Sequence, residues 1–329
     1  MHALVIGDIN RYKKYVPDLP IVQDVPVTVV ARGTDDESIL RACPDAEFIV
    51  ADAVSPVSAR LMEAYPNLKL VHSEGVAFNA IDIDHARQKG VFVCNNAGAN
   101  ADAVAEQAIL LMLCCLRSAV AADAAVRKGR QIQFKERLMV EGIRELGDCK
   151  VGLIGMGAIA AQTARRLRAF GCDVRYWNRT RRPIEFEEEL GIAYLPLDEL
   201  ASSCDIVSIH VPVAPDTENL VDAKFIAAMK DDAILINTAR GEIVDQVALA
   251  DALERGTLGA AGMDTLSPEP VTLDHPLVNL SDAASSRIVF SPHIGGVTEG
   301  MFRRAWRAIW ENIQRISSGE RPANIVNGL

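Results

Sequence analysis

Apolar positions in the first third of the chain come as short β-rich runs separated by stretches with helical spacing. The segment 1–7 and the runs 27–30, 48–51, 68–72 and 91–94 read as strands, and 37–43 and 58–65 read as helices. This alternation predicts βαβ units and a mostly parallel sheet. Residues 95–100 (NNAGAN) are turn-forming and lead into 102–128, which is apolar on much of its circumference. One long helix is expected there. A helix so apolar needs cover on several sides, so it is expected to cross between domains and to help form a homodimer interface. The alternative is that the same stripe is buried within one chain.

From residue 150 the alternation restarts more strongly. Strands are expected at 151–154, 173–177, 206–210, 233–237 and 288–290, with helices between them. No repeat period and no low-complexity segment appear. The stretch 298–318 reads as one helix that returns to the first domain and makes it discontinuous. The expected domains are therefore 1–99 plus 297–329, and 100–296.

Composition narrows the function classes. With 329 residues, 49% hydrophobic and 24% charged, the chain has material for two buried cores. A net charge of −10 and a pI of about 5.2 argue against a nucleic-acid or membrane-surface binder. The seven cysteines form no C-x-x-C pair, and no His cluster has zinc spacing. No metal is expected, and a reducing cytoplasm suits this usage. The N-terminus reads as a strand rather than a signal peptide, and Arg117 interrupts the apolar run 108–116 well short of a membrane span.

The most specific motif lies at 151–160, VGLIGMGAIA: an apolar strand, then G-x-G-x-x-A, then a helical run. Gly155 permits a tight turn, Gly157 lets a pyrophosphate approach the backbone, and Ala160 is small enough for close helix–strand packing. The phosphate would rest on free N–H groups around Ala158 and Ile159, at the positive end of the helix dipole. The fold class expected is α/β, with two Rossmann-like or flavodoxin-like parallel-sheet domains and the active site in the cleft between them. About 20 residues on, where an NAD-preferring site carries an acidic residue, stands Asn178, followed by Arg179, Thr180, Arg181 and Arg182. Without the carboxylate, a 2′-phosphate is not repelled. Arg179 can pair with it and Thr180 can donate a further bond. NADP is favoured. The alternative is a solvated basic loop with NAD held by Asn178.

Three later segments follow strand-like runs: 237–241 (NTARG), 262–264 with Glu269-Pro270, and 291–296 (SPHIGG). In an open α/β sheet, ligands bind beyond the carboxyl ends of strands. Together the segments supply an arginine, a carboxylate and a histidine, a set that suits reduction of a 2-oxo acid. Arg240 can pair with the substrate carboxylate and polarise the oxo oxygen. His293 can protonate that oxygen as a hydride arrives, and Glu269 can orient its ring. Asp264 can bond a nicotinamide carboxamide or support Arg240.

With these motifs in order, the chain resembles the D-isomer-specific 2-hydroxyacid dehydrogenases over nearly its whole length. The segment 100–106, the phosphate turn, His210-Val211-Pro212 with Thr217, NTARG with Glu242 and Asp245, 264–270 and SPHIGG all match family motifs. The resemblance implies catalytic Arg240, Glu269 and His293. It implies that Gly75, Val76 and Ala77 offer backbone N–H groups to the substrate carboxylate. It also implies that Asn100 and Val104 lie beside the nicotinamide, and that His210, Val211, Pro212, Thr217, Thr238, Ala239, Asp264 and Gly295 line the cofactor. The run 178–181 is similar to the NADPH-dependent glyoxylate/hydroxypyruvate reductase branch. The expected partners are thus NADP(H), with NAD as the alternative, and a small 2-oxo or 2-hydroxy acid.

A phosphoglycerate-type dehydrogenase of the same family and a dinucleotide-sensing corepressor are the competing readings. Two departures stand out. Ala77 and Phe78 replace a glycine and a smaller or polar residue, so Phe78 is expected to narrow or grease the substrate pocket. Residues 281–287 look like a small insertion before the last strand.

Overall fold

The computed structural model describes residues 1–329. It divides into two compact units, Met1–Asn100 with Val297–Leu329, and Ala101–Gly296.

The first unit holds five parallel strands, β1 (Ala3–Ile6), β2 (Val27–Val30), β3 (Phe48–Ala51), β4 (Leu70–Ser73) and β5 (Phe92–Cys94), in the order β2-β1-β3-β4-β5. This is the flavodoxin-like arrangement. β1, β3 and β4 are buried at every position, as expected for parallel strands covered on both faces. One face packs on Leu61, Met62 and Tyr65. The other packs on Trp306, Ile309, Trp310 and Ile313 of the helix Glu299–Ser317. Burial of each aliphatic side chain in these layers contributes roughly 1.5–3 kcal/mol. The Thr298 hydroxyl caps that helix by accepting from the Met301 N–H.

The same helix is tied to β4 by a buried polar contact. Asn312 Nδ2 donates to His72 Nε2 at 3.1 Å, and His72 Nδ1 donates to the Ser73 carbonyl at 2.8 Å. His72 is fully buried, and loss of hydration pushes its pKa down to about 4. In the second unit, burial pushes His210 down to about 4 as well. Between pH 4 and 6.5 the unfolded chain therefore binds protons that the folded chain refuses. Stability is complete above pH 6.5 and is lost as pH falls toward 4. Each ring costs about 2 kcal/mol by pH 5. Urea unfolding at pH 7.5 and pH 5 should show this loss, and stability that stays level across that window would refute it.

The second unit holds seven parallel strands: β6 (Lys150–Ile154), β7 (Asp173–Trp177), β8 (Ala193–Tyr194), β9 (Ile206–Ile209), β10 (Ile234–Asn237), β11 (Ala260–Met263) and β12 (Ile288–Phe290). Their order, β12-β11-β10-β9-β6-β7-β8, is a Rossmann sheet with one added strand. The order reverses between β6 and β9, which is the switch point where such sheets bind ligands. The two-residue edge strand β8 falls outside the sequence expectation because two residues carry no periodicity.

The long helix expected over 102–128 is broken. Ala101–Leu116 and Ala119–Arg127 meet at a bend of 57°. Ser118 sits there in left-handed backbone, with φ of 47°, and donates its N–H to Cys115. Gly129, φ 70°, then turns the chain into a further helix, Gln131–Glu141. Ala101–Leu116 buries nine of its sixteen residues, whereas the two helices after the bend bury none. No single helix is long and apolar enough to cross a membrane. The bent pair meets the criterion jointly, by length and composition only.

The 281–287 segment is also structured. Ser281 caps the short helix Asp282–Ser285, and its own N–H and hydroxyl donate to Glu254.

Candidate active site

In the second unit, β6, β7, β9, β10, β11 and β12 all point the same way. The turns that follow them therefore collect along one sheet edge. Those turns carry Gly155, Asn178, His210, Thr238 to Arg240, Asp264 and His293.

Gly155 has φ of 97°, and a Cβ there would meet the His210 carbonyl oxygen at 2.7 Å. Only glycine lets the turn after β6 pass so close to the turn after β9. The helix Ala158–Phe170 then begins with no side-chain cap at Gly157, and the space above Gly157 is open. Asn178 Oδ1 accepts from the Met156 N–H at 3.2 Å, and its Nδ2 donates to the Thr180 carbonyl at 2.8 Å. This side chain thus shapes the phosphate turn. The Thr238 hydroxyl is buried at the end of β10 without a hydrogen-bond partner. An uncapped helix N-terminus beside a glycine turn, with an orphaned hydroxyl on the same sheet edge, fits a dinucleotide.

The basic run after β7 is not uniformly available. Arg181 is bonded through Nε and Nη2 to the two oxygens of buried Glu187, at 2.8 and 2.9 Å. That pair holds the Glu187 carboxyl below its ordinary range. Arg179 is exposed and pairs with Asp216 at 3.0 Å. Thr217 is buried. Its hydroxyl donates to the Pro212 carbonyl at 2.6 Å and accepts from the Ala214 N–H at 2.8 Å, which holds the 211–217 loop in shape.

Both Glu269 oxygens lie 2.9 Å from His293 Nδ1. An ionised carboxylate only accepts, so Nδ1 carries the proton in this pair and the ring presents Nε2 outward. His293 itself has φ of 53°, a left-handed conformation costing about 1–2 kcal/mol outside glycine. Asp264 holds it there. The Asp264 carbonyl accepts from the His293 N–H at 2.8 Å, Oδ1 from Ile294 at 3.1 Å and Oδ2 from Gly295 at 2.9 Å. Ser291 Oγ also donates to Oδ1, and Gln107 donates to Ser291 at 2.8 Å. Asp264 therefore buttresses the histidine turn and makes no hydrogen bond to Arg240. The chain Gln107–Ser291–Asp264 joins residues far apart in the sequence, and no local signal marks it.

Arg240 forms no ion pair. Its Nη1 donates to the Ala239 carbonyl at 2.6 Å, and Asn237 fixes the turn beneath it through the Ala239 N–H and the Arg240 carbonyl. Val104 is buried in the helix Ala101–Leu116.

The first unit presents a different device after β4. Every carbonyl from Ser73 to Phe78 accepts a hydrogen bond. Those of Ser73 and Glu74 accept from Asn96 Nδ2, that of Gly75 from the Asn96 N–H, and that of Val76 from Asn95 Nδ2. Those of Ala77 and Phe78 accept from the Ser73 hydroxyl and the Ile81 N–H. The N–H groups of Val76, Ala77 and Phe78 have no acceptor within the protein. Successive free N–H groups of this kind form an anion-binding nest. Gly75 is required immediately before it, because a Cβ there would stand 2.9 Å from that of Ala53. Phe78 is half-buried and packs against the core cluster of the unit. Asn100 is half-buried at the end of this unit.

Comparison with known proteins agrees with this geometry. The family model for the NAD-binding domain of D-isomer specific 2-hydroxyacid dehydrogenases matches residues 109–295. A glyoxylate reductase of Korarchaeum cryptofilum is 34% identical over 289 residues, covering 88% of this chain and 85% of its own. A D-3-phosphoglycerate dehydrogenase of Mycobacterium tuberculosis is 35% identical over 90% of this chain, which spans 54% of that protein's length. The crystal structure of a glyoxylate reductase from Paecilomyes thermophila superposes with a TM-score of 0.78 at 28% identity, covering 97% of this chain and 96% of its own. The chain belongs to the D-isomer-specific 2-hydroxyacid dehydrogenase family, the NAD(P)-linked oxidoreductases of small 2-hydroxy and 2-oxo acids.

Proposed function

We propose that this protein is an NADPH-preferring reductase of short 2-oxo acids of the glyoxylate and hydroxypyruvate kind. One observation carries the reading: His293, fixed by Glu269 at 2.9 Å with Nε2 outward, shares a sheet edge with an Arg240 that has no counter-ion. A bound nicotinamide supplies the hydride. The chain's residues do the rest. Arg240 pairs with the substrate carboxylate and polarises its oxo oxygen. His293 Nε2 gives that oxygen a proton, and Glu269 stabilises the ring that gives it. The free N–H groups of Val76 and Ala77, on the loop that begins at Gly75, bind the carboxylate. Gly155, Gly157, Ala158 and Ile159 cradle the pyrophosphate. Asn100, Val104, His210, Val211, Pro212, Thr238, Ala239 and Gly295 line the cofactor, with Thr217 and Asp264 holding that lining in shape.

The coenzyme preference rests on Arg179. No acidic side chain occupies the Asn178 position, and Arg181 is committed to Glu187. With Arg182 stacked over Phe186, Arg179 is the cation that meets a 2′-phosphate once it exchanges Asp216 for it. The ratio of kcat/KM for NADPH over NADH should exceed about tenfold, and Arg179→Ala should reduce it by about that factor. A wild-type preference for NADH would overturn the assignment.

The helices Ala119–Arg127 and Gln131–Glu141 form the surface proposed for a homodimer, beyond the single helix expected from sequence. Val126, Ile132 and Met139 are exposed there by 55%, 59% and 74%. Sedimentation velocity should give twice the chain mass for the wild type and one chain mass for Met139→Glu. A monomeric wild type would remove this reading.

A further inference from the structure

Glu74 is a carboxylate buried to 5% exposure at the start of the Ser73–Phe78 loop. It is held from two sides. Arg11 Nε donates to Oε1 at 2.8 Å, and Trp306 Nε1 donates to the same oxygen at 3.0 Å. Arg11 lies on the helix Ile9–Tyr15 and Trp306 on Glu299–Ser317, so one side chain joins two helices to the end of β4. Burying a carboxylate is expensive, and burial raises its pKa against the pull of Arg11. An apolar residue would fill the same space at lower cost.

What the carboxylate adds is direction. Its clamp fixes the backbone at Glu74 while Asn96 binds the carbonyls on either side of the Glu74 N–Cα–C unit and that of Gly75. With the carbonyls held inward, the N–H groups of Val76, Ala77 and Phe78 face away from them and stay free. If the loop relaxed, those donors would turn and find partners of their own.

We infer that Glu74, clamped by Arg11 and Trp306 and seconded by Asn96, is a positioning residue that sets the substrate-carboxylate nest of the Ser73–Phe78 loop. This rests on the reading of that loop as the carboxylate site. Glu74 touches neither substrate nor cofactor, so its loss should weaken carboxylate binding while sparing the chemical step and the coenzyme.

The test uses the full chain with NADPH. It compares wild type, Glu74→Gln and Trp306→Phe for glyoxylate KM and kcat, for NADPH affinity, and for the affinity of the enzyme–NADPH complex for oxamate, an unreactive mimic. In Glu74→Gln, KM and the oxamate Kd should rise together by about fivefold or more, with kcat and NADPH affinity within about twofold. Trp306→Phe keeps a six-membered aromatic ring at the site and deletes the N–H donor with the rest of the indole, so it carries the test if Glu74→Gln fails to fold. Its KM and oxamate Kd should rise by about threefold. Folded variants with a lowered Tm but an unchanged KM and oxamate Kd would reduce Glu74 to a structural role and overturn the inference. A wild type that neither reduces glyoxylate nor binds oxamate would overturn the carboxylate-site reading as well, so the two failures are distinct.

Discussion

His293→Gln is expected to lower kcat for 2-oxo acid reduction by about 10³-fold or more while NADPH still binds within about twofold of wild type. The expectation follows from geometry. Glu269 fixes the ring through Nδ1, and Nε2 is the one protonated-or-proton-accepting atom the pair presents outward. Glutamine approximates the size of the ring and keeps a donor, but it cannot release a proton to an oxyanion. The backbone of the turn should persist, because the Asp264 carboxylate binds Ile294 and Gly295 through their N–H groups and the Asp264 carbonyl binds that of residue 293. Binding and chemistry should therefore separate. NADPH titration followed by fluorescence, beside steady-state rates, reads both. Turnover retained within about tenfold would remove His293 as the proton donor.

Arg240→Lys is expected to cost about 10²-fold or more in kcat/KM, although charge is conserved. Arg240 is exposed and has no carboxylate partner, and its turn is pinned by Asn237. A guanidinium held in that way can meet a carboxylate and an oxo oxygen together with its planar fork. An ammonium is a point charge that satisfies one of them. Because the contact to the oxo oxygen strengthens as negative charge develops there, the loss should appear in kcat as well as KM. An effect confined to KM would mean that Arg240 only gathers substrate. Arg240→Lys with full activity would contradict its role altogether.

Much of this was legible in the sequence, for reasons that differ by element. The parallel strands Phe48–Ala51, Asp173–Trp177 and Ile288–Phe290 lie where the apolar runs end in turn residues. The phosphate turn was legible because a strand, two glycines and a helix are needed in a fixed order. The break at Ser118 was not, since left-handed backbone at a serine leaves no compositional mark and apolar residues continue past it. Roles made by long-range contacts were hidden for the same reason. Nothing local in Ser291 or Gln107 announces that they support Asp264, which lies 27 residues from Ser291. Asp264 was expected to face the cofactor or Arg240. Its oxygens are instead largely consumed by the turn that carries His293. Glu74 carries no local mark of its role, because an acidic residue after a strand ordinarily reads as solvated. Only the fold brings Arg11 and Trp306 to it.

The central claim is that the Arg240, Glu269 and His293 constellation reduces a short 2-oxo acid with NADPH. Initial rates with NADPH and NADH across glyoxylate, hydroxypyruvate, its 3-phosphate and a bulky aromatic 2-oxo acid test it most directly. Turnover with NADPH is expected, with the highest kcat/KM for glyoxylate or hydroxypyruvate and rates that vanish in His293→Gln. No turnover of any 2-oxo acid with either coenzyme, in a protein that still binds NADPH, would contradict it.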